Sequence, residues 1–319
     1  MSNFEIAGFG AYVPDKILTN DDLAQMVDTS DEWIFSRTGI KRRHVAENEN
    51  ASDMAAKAAR RILENAGARG PDVEVIIVST GTADYIAPST ACLVQRAIGA
   101  DKAFCFDLSA ACTGFLYALS VARGMLDRYD NILVIGAEAL SKITDWTDRA
   151  TCVLFADGAG GCLLKKSNRP RRWAEFLRSD GTGAEAVTMG HFPSAGTTNA
   201  PCNISKIVMN GRELYNFVVN TVPDTILEVL KRAGMGMDEV KYIVPHQANL
   251  RMIESVAKKL GLPMEKFYTT IEEYANISSA SIPVTLDRMI GEKLIGKGDI
   301  VLLTAFGGGL TCGSVLAEL

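Results

Sequence analysis

No run of apolar residues in this 319-residue chain approaches the roughly 18 that a membrane-spanning helix needs. The opening residues, Met1-Ser2-Asn3-Phe4-Glu5-Ile6, lack a basic region followed by a long apolar stretch, so neither a membrane span nor an export signal is expected. The seven cysteines, at 92, 105, 112, 152, 162, 202 and 312, are odd in number and form no CxxC pair. That usage argues against a disulfide framework and against a zinc or other metal site, and for reduced thiols in a cytoplasmic protein. A net charge of -5 leaves no surplus of Lys and Arg to neutralise phosphates, which argues against general nucleic-acid affinity. Histidine is scarce, with three residues at 44, 191 and 246. What remains is ordinary globular composition, 47% hydrophobic and 22% charged, enough to bury a large core in one or two domains.

Against that background Cys112 stands out, in the run Phe106-Asp107-Leu108-Ser109-Ala110-Ala111-Cys112-Thr113-Gly114-Phe115. Residues 102–108 are short and apolar, as in a strand, whereas Phe115, Leu119, Ala122 and Leu126 recur at helical spacing. Cys112 is therefore expected to open a helix, where free amides and the helix dipole lower a thiol pKa by about one unit or more from about 8.5. A buried, inert thiol is the ordinary state of any one of seven cysteines, and the small residues around Cys112 favour the reactive reading for it alone.

The chain also repeats itself. Ile62-Leu63-Glu64-Asn65-Ala66-Gly67 before the strand opened by Val73 matches Val229-Leu230-Lys231-Arg232-Ala233-Gly234 before Val240, both at an offset of 167. Asn131-Ile132-Leu133-Val134-Ile135 matches Asp299-Ile300-Val301-Leu302-Leu303 at 168. A duplicated α/β unit follows. Runs such as 75–78 and 300–303 are apolar on both faces and suggest parallel, doubly covered sheets. Helices are expected over 52–66, 114–127, 211–233, 249–260 and 282–292, and an irregular excursion over 181–206.

His246 ends a buried strand in Val244-Pro245-His246-Gln247-Ala248-Asn249, opposite Ser79 in the repeat, and strand ends are where ligands bind in open α/β sheets. The 168 offset pairs Ala280 with Cys112, so the loop carrying Asn276 should meet the cysteine loop. Phe306-Gly307-Gly308-Gly309 then ends the last strand with glycines that admit close approach of backbone amides to a reacting oxygen.

At these residues the chain resembles the thiolase-like superfamily, and within it the β-ketoacyl-acyl-carrier-protein synthase III family. The segments that carry the likeness run in family order: Asp31-Glu32-Trp33-Ile34 with Arg37-Thr38-Gly39-Ile40, Ala110-Ala111-Cys112-Thr113-Gly114, Asp157-Gly158-Ala159-Gly160, the His246 and Asn276 segments, and the glycine triplet. The resemblance implies a duplicated thiolase-like fold with an α-β-α-β-α layering, its halves at 1–170 and 171–319. It implies a homodimer that condenses an acyl-CoA primer with malonyl-acyl-carrier protein, using the coenzyme A thioester as substrate and no separate cofactor. Cys112 would be the nucleophile, His246 and Asn276 the donors that stabilise an enolate, and the Cys112 and Gly308 amides the oxyanion hole. Trp33, Arg37 and Arg149 would hold the nucleotide end of coenzyme A, and Gly211 and Asn249 its pantetheine arm. Arg251 and Lys258, seven apart on one helix, would form a docking patch for the acidic carrier protein.

Departures from the family pattern are Ala275-Asn276-Ile277-Ser278-Ser279-Ala280-Ser281, where Gly-Asn-Thr-Ser-Ala-Ala-Ser is usual, and Thr311-Cys312-Gly313-Ser314 after the glycines. Ala87 stands where some members place a phenylalanine that limits primer length across the dimer. Readings held open are a condensing enzyme of a polyketide or quinolone pathway, a silent binding paralogue, and a thiolase that would use Cys312 as a second cysteine.

Overall fold

A computed structural model describes residues 3–190 and 206–319, and the chain builds two principal sheets. In the first, Val75–Ser79 lies between Phe104–Leu108 and Asn131–Ala139, parallel to both. Asp157–Lys166 and then Phe4–Tyr12 extend it antiparallel. The second repeats the plan: Tyr242–Pro245 runs parallel to Ile300–Gly307, followed by antiparallel Thr311–Glu318 and Trp173–Ser179. The partner of Phe104–Leu108 is reduced here to a single bridge between Ile243 and Phe267.

The sheets are thus mixed, a correction to the parallel sheets expected. Apolar runs report burial on both faces and carry no information on strand direction. Direction is set by the connection: only residues 308–310 join Ile300–Gly307 to Thr311–Glu318, too few for the crossover that a parallel neighbour requires.

Five layers result. Ala51–Asn65 and Thr90–Ile98 cover the outer face of the first sheet through Ile62, Leu63, Ala91 and Val94 against Ile76, Val78, Leu133 and Ile135. Gly211–Ala233 and Leu250–Leu260 cover the outer face of the second. Between the sheets lie Gly114–Met125 and Ser281–Gly291, whose Phe115, Leu119, Ile282 and Leu286 pack with Ile77, Val134, Val244 and Val301. Each such side chain, fully buried, contributes about 1.5–3 kcal/mol, so the central pair welds one half to the other. Helix ends fall within two residues of those expected, and Asn249 is the cap of its helix rather than its first residue. Of the excursion, Gly181–Ala186 forms a 3-10 helix and Val187–Thr188 pairs with Val208–Met209, while 191–205, with His191 and Cys202, lie outside the described residues.

Each central helix is preceded by a one-turn 3-10 helix, Ala111–Thr113 and Ser278–Ala280, whose first residue has φ +46° in both cases. These turns match at an offset of 167, so the counterpart of Cys112 is Ser279 and not Ala280. The 168 read from strands 131–135 and 299–303 does not carry into the turns, because the second half has one residue more between turn and strand.

Candidate active site

Ala111, a non-glycine residue held in the left-handed region, raises Cys112 at the start of its turn at a cost of about 1–3 kcal/mol. Thr113 N–H donates to Ala110 O at 3.2 Å and Gly114 N–H to Ala111 O, which leaves the Cys112 amide outside the ladder. Gly307 packs against that amide: a Cβ there would lie 2.9 Å from Cys112 N and 3.0 Å from Cys112 Cβ. Burial pushes the Cys112 thiol up to about 12, with the Glu138 carboxylate adding to it and the Ser278 hydroxyl opposing. This corrects the lowered pKa expected of a helix start. The α-helix begins only at Gly114, and the half-buried thiol loses more to desolvation than the turn returns.

His246 follows Tyr242–Pro245, its N–H bonded to Thr304 O at 2.8 Å and its ring edge-on to Phe306 with centroids 5.3 Å apart. Complete burial pushes the imidazole down to about 3, so it is neutral across the physiological range. Asn276 is clamped by Asn276 N–H to Leu154 O at 3.0 Å and Ala156 N–H to Asn276 O at 2.9 Å. Its side-chain Oδ1 accepts from Ser278 N–H at 2.8 Å, which commits the oxygen and leaves the Nδ2 amine as a donor for the cleft. Ala275 beside it has φ +51° and ψ -151°, the conformation that the family's usual glycine adopts without strain.

Cys112, His246, Asn276 and Gly308 line one cleft of about 730 Å³. Trp33, Arg37, Gly211, Asn249 and Arg251 line it as well. Trp33 is gripped by two guanidinium groups, with Arg37 Cζ at 4.5 Å and Arg149 Cζ at 4.8 Å from its ring centroid. Arg149 itself is off the cleft lining and donates through Nη1 to Asp28 O at 2.7 Å. Asn249 Oδ1 accepts from Arg251 N–H at 2.9 Å as the helix cap, and Arg251 Nε donates to Ser36 O at 3.0 Å. Lys258 is exposed two turns further along, outside the cleft. Ala87 is exposed on the loop before Thr90–Ile98 and does not line the Cys112 cleft of its own chain.

Sequence reading passed over Ser278 and Arg212, which line the cleft, and Glu138, a buried acid that acts on the Cys112 thiol. Glu138 had a signal, a lone acid inside the apolar run Ile135-Gly136-Ala137-Glu138-Ala139-Leu140. Among the described residues no group of three or more His, Cys, Asp or Glu is arranged to hold a metal ion.

Residues 106–181 match the family model for 3-oxoacyl-[acyl-carrier-protein] synthase III, and 230–319 match the model for its C-terminal part. The β-ketoacyl-[acyl-carrier-protein] synthase III of Clostridium beijerinckii is 47% identical over 322 residues that cover the whole of both chains. The chain belongs to the β-ketoacyl-[acyl-carrier-protein] synthase III family. It is an acyltransferase of the condensing type with the thiolase-like fold. The crystal structure of 3-oxoacyl-[acyl-carrier-protein] synthase III from Aquifex aeolicus superposes with a TM-score of 0.92 at 42% identity, covering 99% of this chain and 100% of that one. The priming β-ketosynthase of the R1128 polyketide pathway superposes at 0.93 with 32% identity, covering 99% of this chain and 96% of that one.

Proposed function

We propose that the chain initiates fatty acid synthesis by decarboxylative condensation of an acyl-CoA primer with malonyl-acyl-carrier protein, with Cys112 as the nucleophile. The convergence of the Cys112 thiol, a neutral imidazole and an oriented amide in one cleft carries the reading. The Cys112 sulfur attacks the primer thioester, and the coenzyme A sulfur leaves. Malonyl thioester then loses carbon dioxide, and its electrons pass to an enolate oxygen that accepts from His246 Nε2–H and Asn276 Nδ2–H. The enolate carbon attacks the acyl-enzyme carbonyl and returns the Cys112 sulfur. The Cys112 and Gly308 amides hold the tetrahedral oxyanions, and the Trp33, Arg37 and Arg149 cluster holds the nucleotide of coenzyme A. The reading includes a cytoplasmic homodimer, two halves at 1–170 and 171–319, and no cofactor beyond the thioester itself. Intact-protein mass spectrometry after incubation with acyl-CoA tests it: the added acyl mass must map to Cys112, and an acyl group on any other residue rejects it.

In a homodimer Ala87 reaches a primer only from the partner side, and its small side chain leaves room that a phenylalanine would fill. Acyl-enzyme is therefore expected with primers longer or more branched than acetyl. Two further methylenes contribute about 1.6 kcal/mol, or roughly tenfold in specificity. Ala87→Phe should depress acylation by hexanoyl-CoA far more than by acetyl-CoA; equal depression would remove Ala87 from the pocket.

Arg251 at the cleft and Lys258 beyond it suit the approach of an acidic carrier protein. Reversing both to Glu should raise the KM for malonyl-carrier protein severalfold, abolish its salt dependence and leave acylation by acyl-CoA nearly unchanged. Equal impairment of both half-reactions would assign the residues to the cleft wall alone.

A further inference from the structure

Glu138 is fully buried near the end of Asn131–Ala139, and nothing in the reaction above uses it. Its Oε2 accepts from Gly81 N–H at 3.1 Å and from Thr82 Oγ1–H at 2.9 Å, and its Oε1 accepts from Ser279 Oγ–H at 2.8 Å. A carboxylate has about four acceptor positions, so one remains. The Ser278–Ala280 turn is pressed against this strand: a Cβ at Gly136 would lie 2.5 Å from Ser279 O. Ser278 lines the catalytic cleft with Cys112, yet its buried hydroxyl has no hydrogen-bond partner. It stands beside both the Cys112 thiol and the Glu138 carboxyl.

We infer that Ser278 and Glu138 form a proton-acceptor pair behind Cys112. The Cys112 S–H bond breaks as its proton passes to Ser278 Oγ, while the Ser278 hydroxyl hydrogen passes to a Glu138 carboxylate oxygen. The thiolate electron pair is then free to attack the primer carbonyl. The neutral Glu138 acid returns the proton by the same path to the departing coenzyme A sulfur, so the pair ends each acylation as it began. Glu138 acts only through Ser278 and is a positioning residue. Burial holds its carboxyl above the ordinary carboxylate range, against the donors Ser279, Gly81 and Thr82, which brings its basicity toward that of a useful acceptor. The titratable groups around the pair are Cys112, from the opposing turn, and His246, which lines the same cleft and is neutral.

This inference rests on Cys112 as nucleophile, and the pH dependence of Cys112 alkylation by iodoacetamide, located by peptide mapping, tests it without any substrate. In the unaltered protein the rate should reach a plateau as Glu138 ionises. In Glu138→Gln and in Ser278→Ala the plateau should vanish, the rate climbing about tenfold per pH unit through pH 9, and acylation by acyl-CoA at pH 7 should fall about ten- to a hundredfold. Glu138→Asp should restore the plateau, and the double variant should be no slower than either single one. Ser278→Ala deletes an unbonded hydroxyl and carries the test if Glu138→Gln does not fold. A profile of unchanged shape in Ser278→Ala overturns the inference. Alkylation behaving as expected while no acyl-CoA acylates Cys112 would reject the proposed function instead.

Discussion

His246→Ala and Asn276→Ala should each leave acylation by acyl-CoA within a few fold of the parent and lower condensation with malonyl-carrier protein by about a hundredfold or more, the usual cost of one oxyanion donor. Cys112→Ala should abolish acylation outright. The division follows from placement. The Cys112 turn has its own unladdered amide and Gly307 behind it, whereas His246 and Asn276 offer donors to a second carbonyl. Because His246 is held down to about 3, its loss of a proton-free nitrogen lies far below neutrality. Condensation by acyl-enzyme should accordingly show no inflection near pH 6.5, where a solvated histidine titrates. The linked effect on folding has a definite sign. The imidazole is neutral in the folded state and protonates near 6.5 when unfolded, so His246 favours folding fully above pH 6.5 and progressively less from there toward pH 3. Acylation lost together with condensation in His246→Ala, or an inflection at pH 6.5 that disappears in that variant, would contradict the assignment.

Gly307→Ala should silence Cys112 by steric means. The added methyl would lie 2.9 Å from Cys112 N and 3.0 Å from its Cβ, contacts that cannot both be kept. Displacing the Cys112 turn misaligns the sulfur and its amide together, and misplacement of a reacting group by about 1 Å costs about a hundredfold, which sets the upper end of the expected loss. Gly308→Ala is the contrast, since its Cβ would meet Val187 O at 3.1 Å and leave the Cys112 turn untouched. Acyl-enzyme formation by stopped mass spectrometry separates the two, with circular dichroism to verify folding. Gly307→Ala acylating as fast as Gly308→Ala would show that the glycine serves the turn and not the thiol.

Of the proposed catalytic trio, Cys112 was legible before an amphipathic helix and His246 after a buried strand, whereas Asn276 alone reads as a turn residue and took its role from the family resemblance. The repeat was legible because the central strands of both halves are uniformly apolar. The antiparallel strands Asp157–Lys166 and Thr311–Glu318 were not, since glycine is a poor strand former and here serves close strand packing, as at Gly161, whose Cβ would fall 2.1 Å from Val134 O. The direction of the Cys112 pKa was misread because a local pattern shows a helix start and not how much protein covers it. Ala87 carried no sign of its distance from the cleft, and Glu138 none of its neighbours on turns 81–82 and 278–280, which are brought together only by the tertiary fold.

Trp33 has both an optical and a kinetic consequence. With one guanidinium at 4.5 Å and another at 4.8 Å, the indole lies against two cations that polarise its excited state. A planar base that stacks on the ring alters this cationic surrounding, and that change shifts the emission of one of only three tryptophans in the chain. Stopped-flow fluorescence of the otherwise unlabelled protein, compared with Trp33→Phe, would therefore time the arrival and departure of a nucleotide-bearing substrate separately from the chemistry at Cys112.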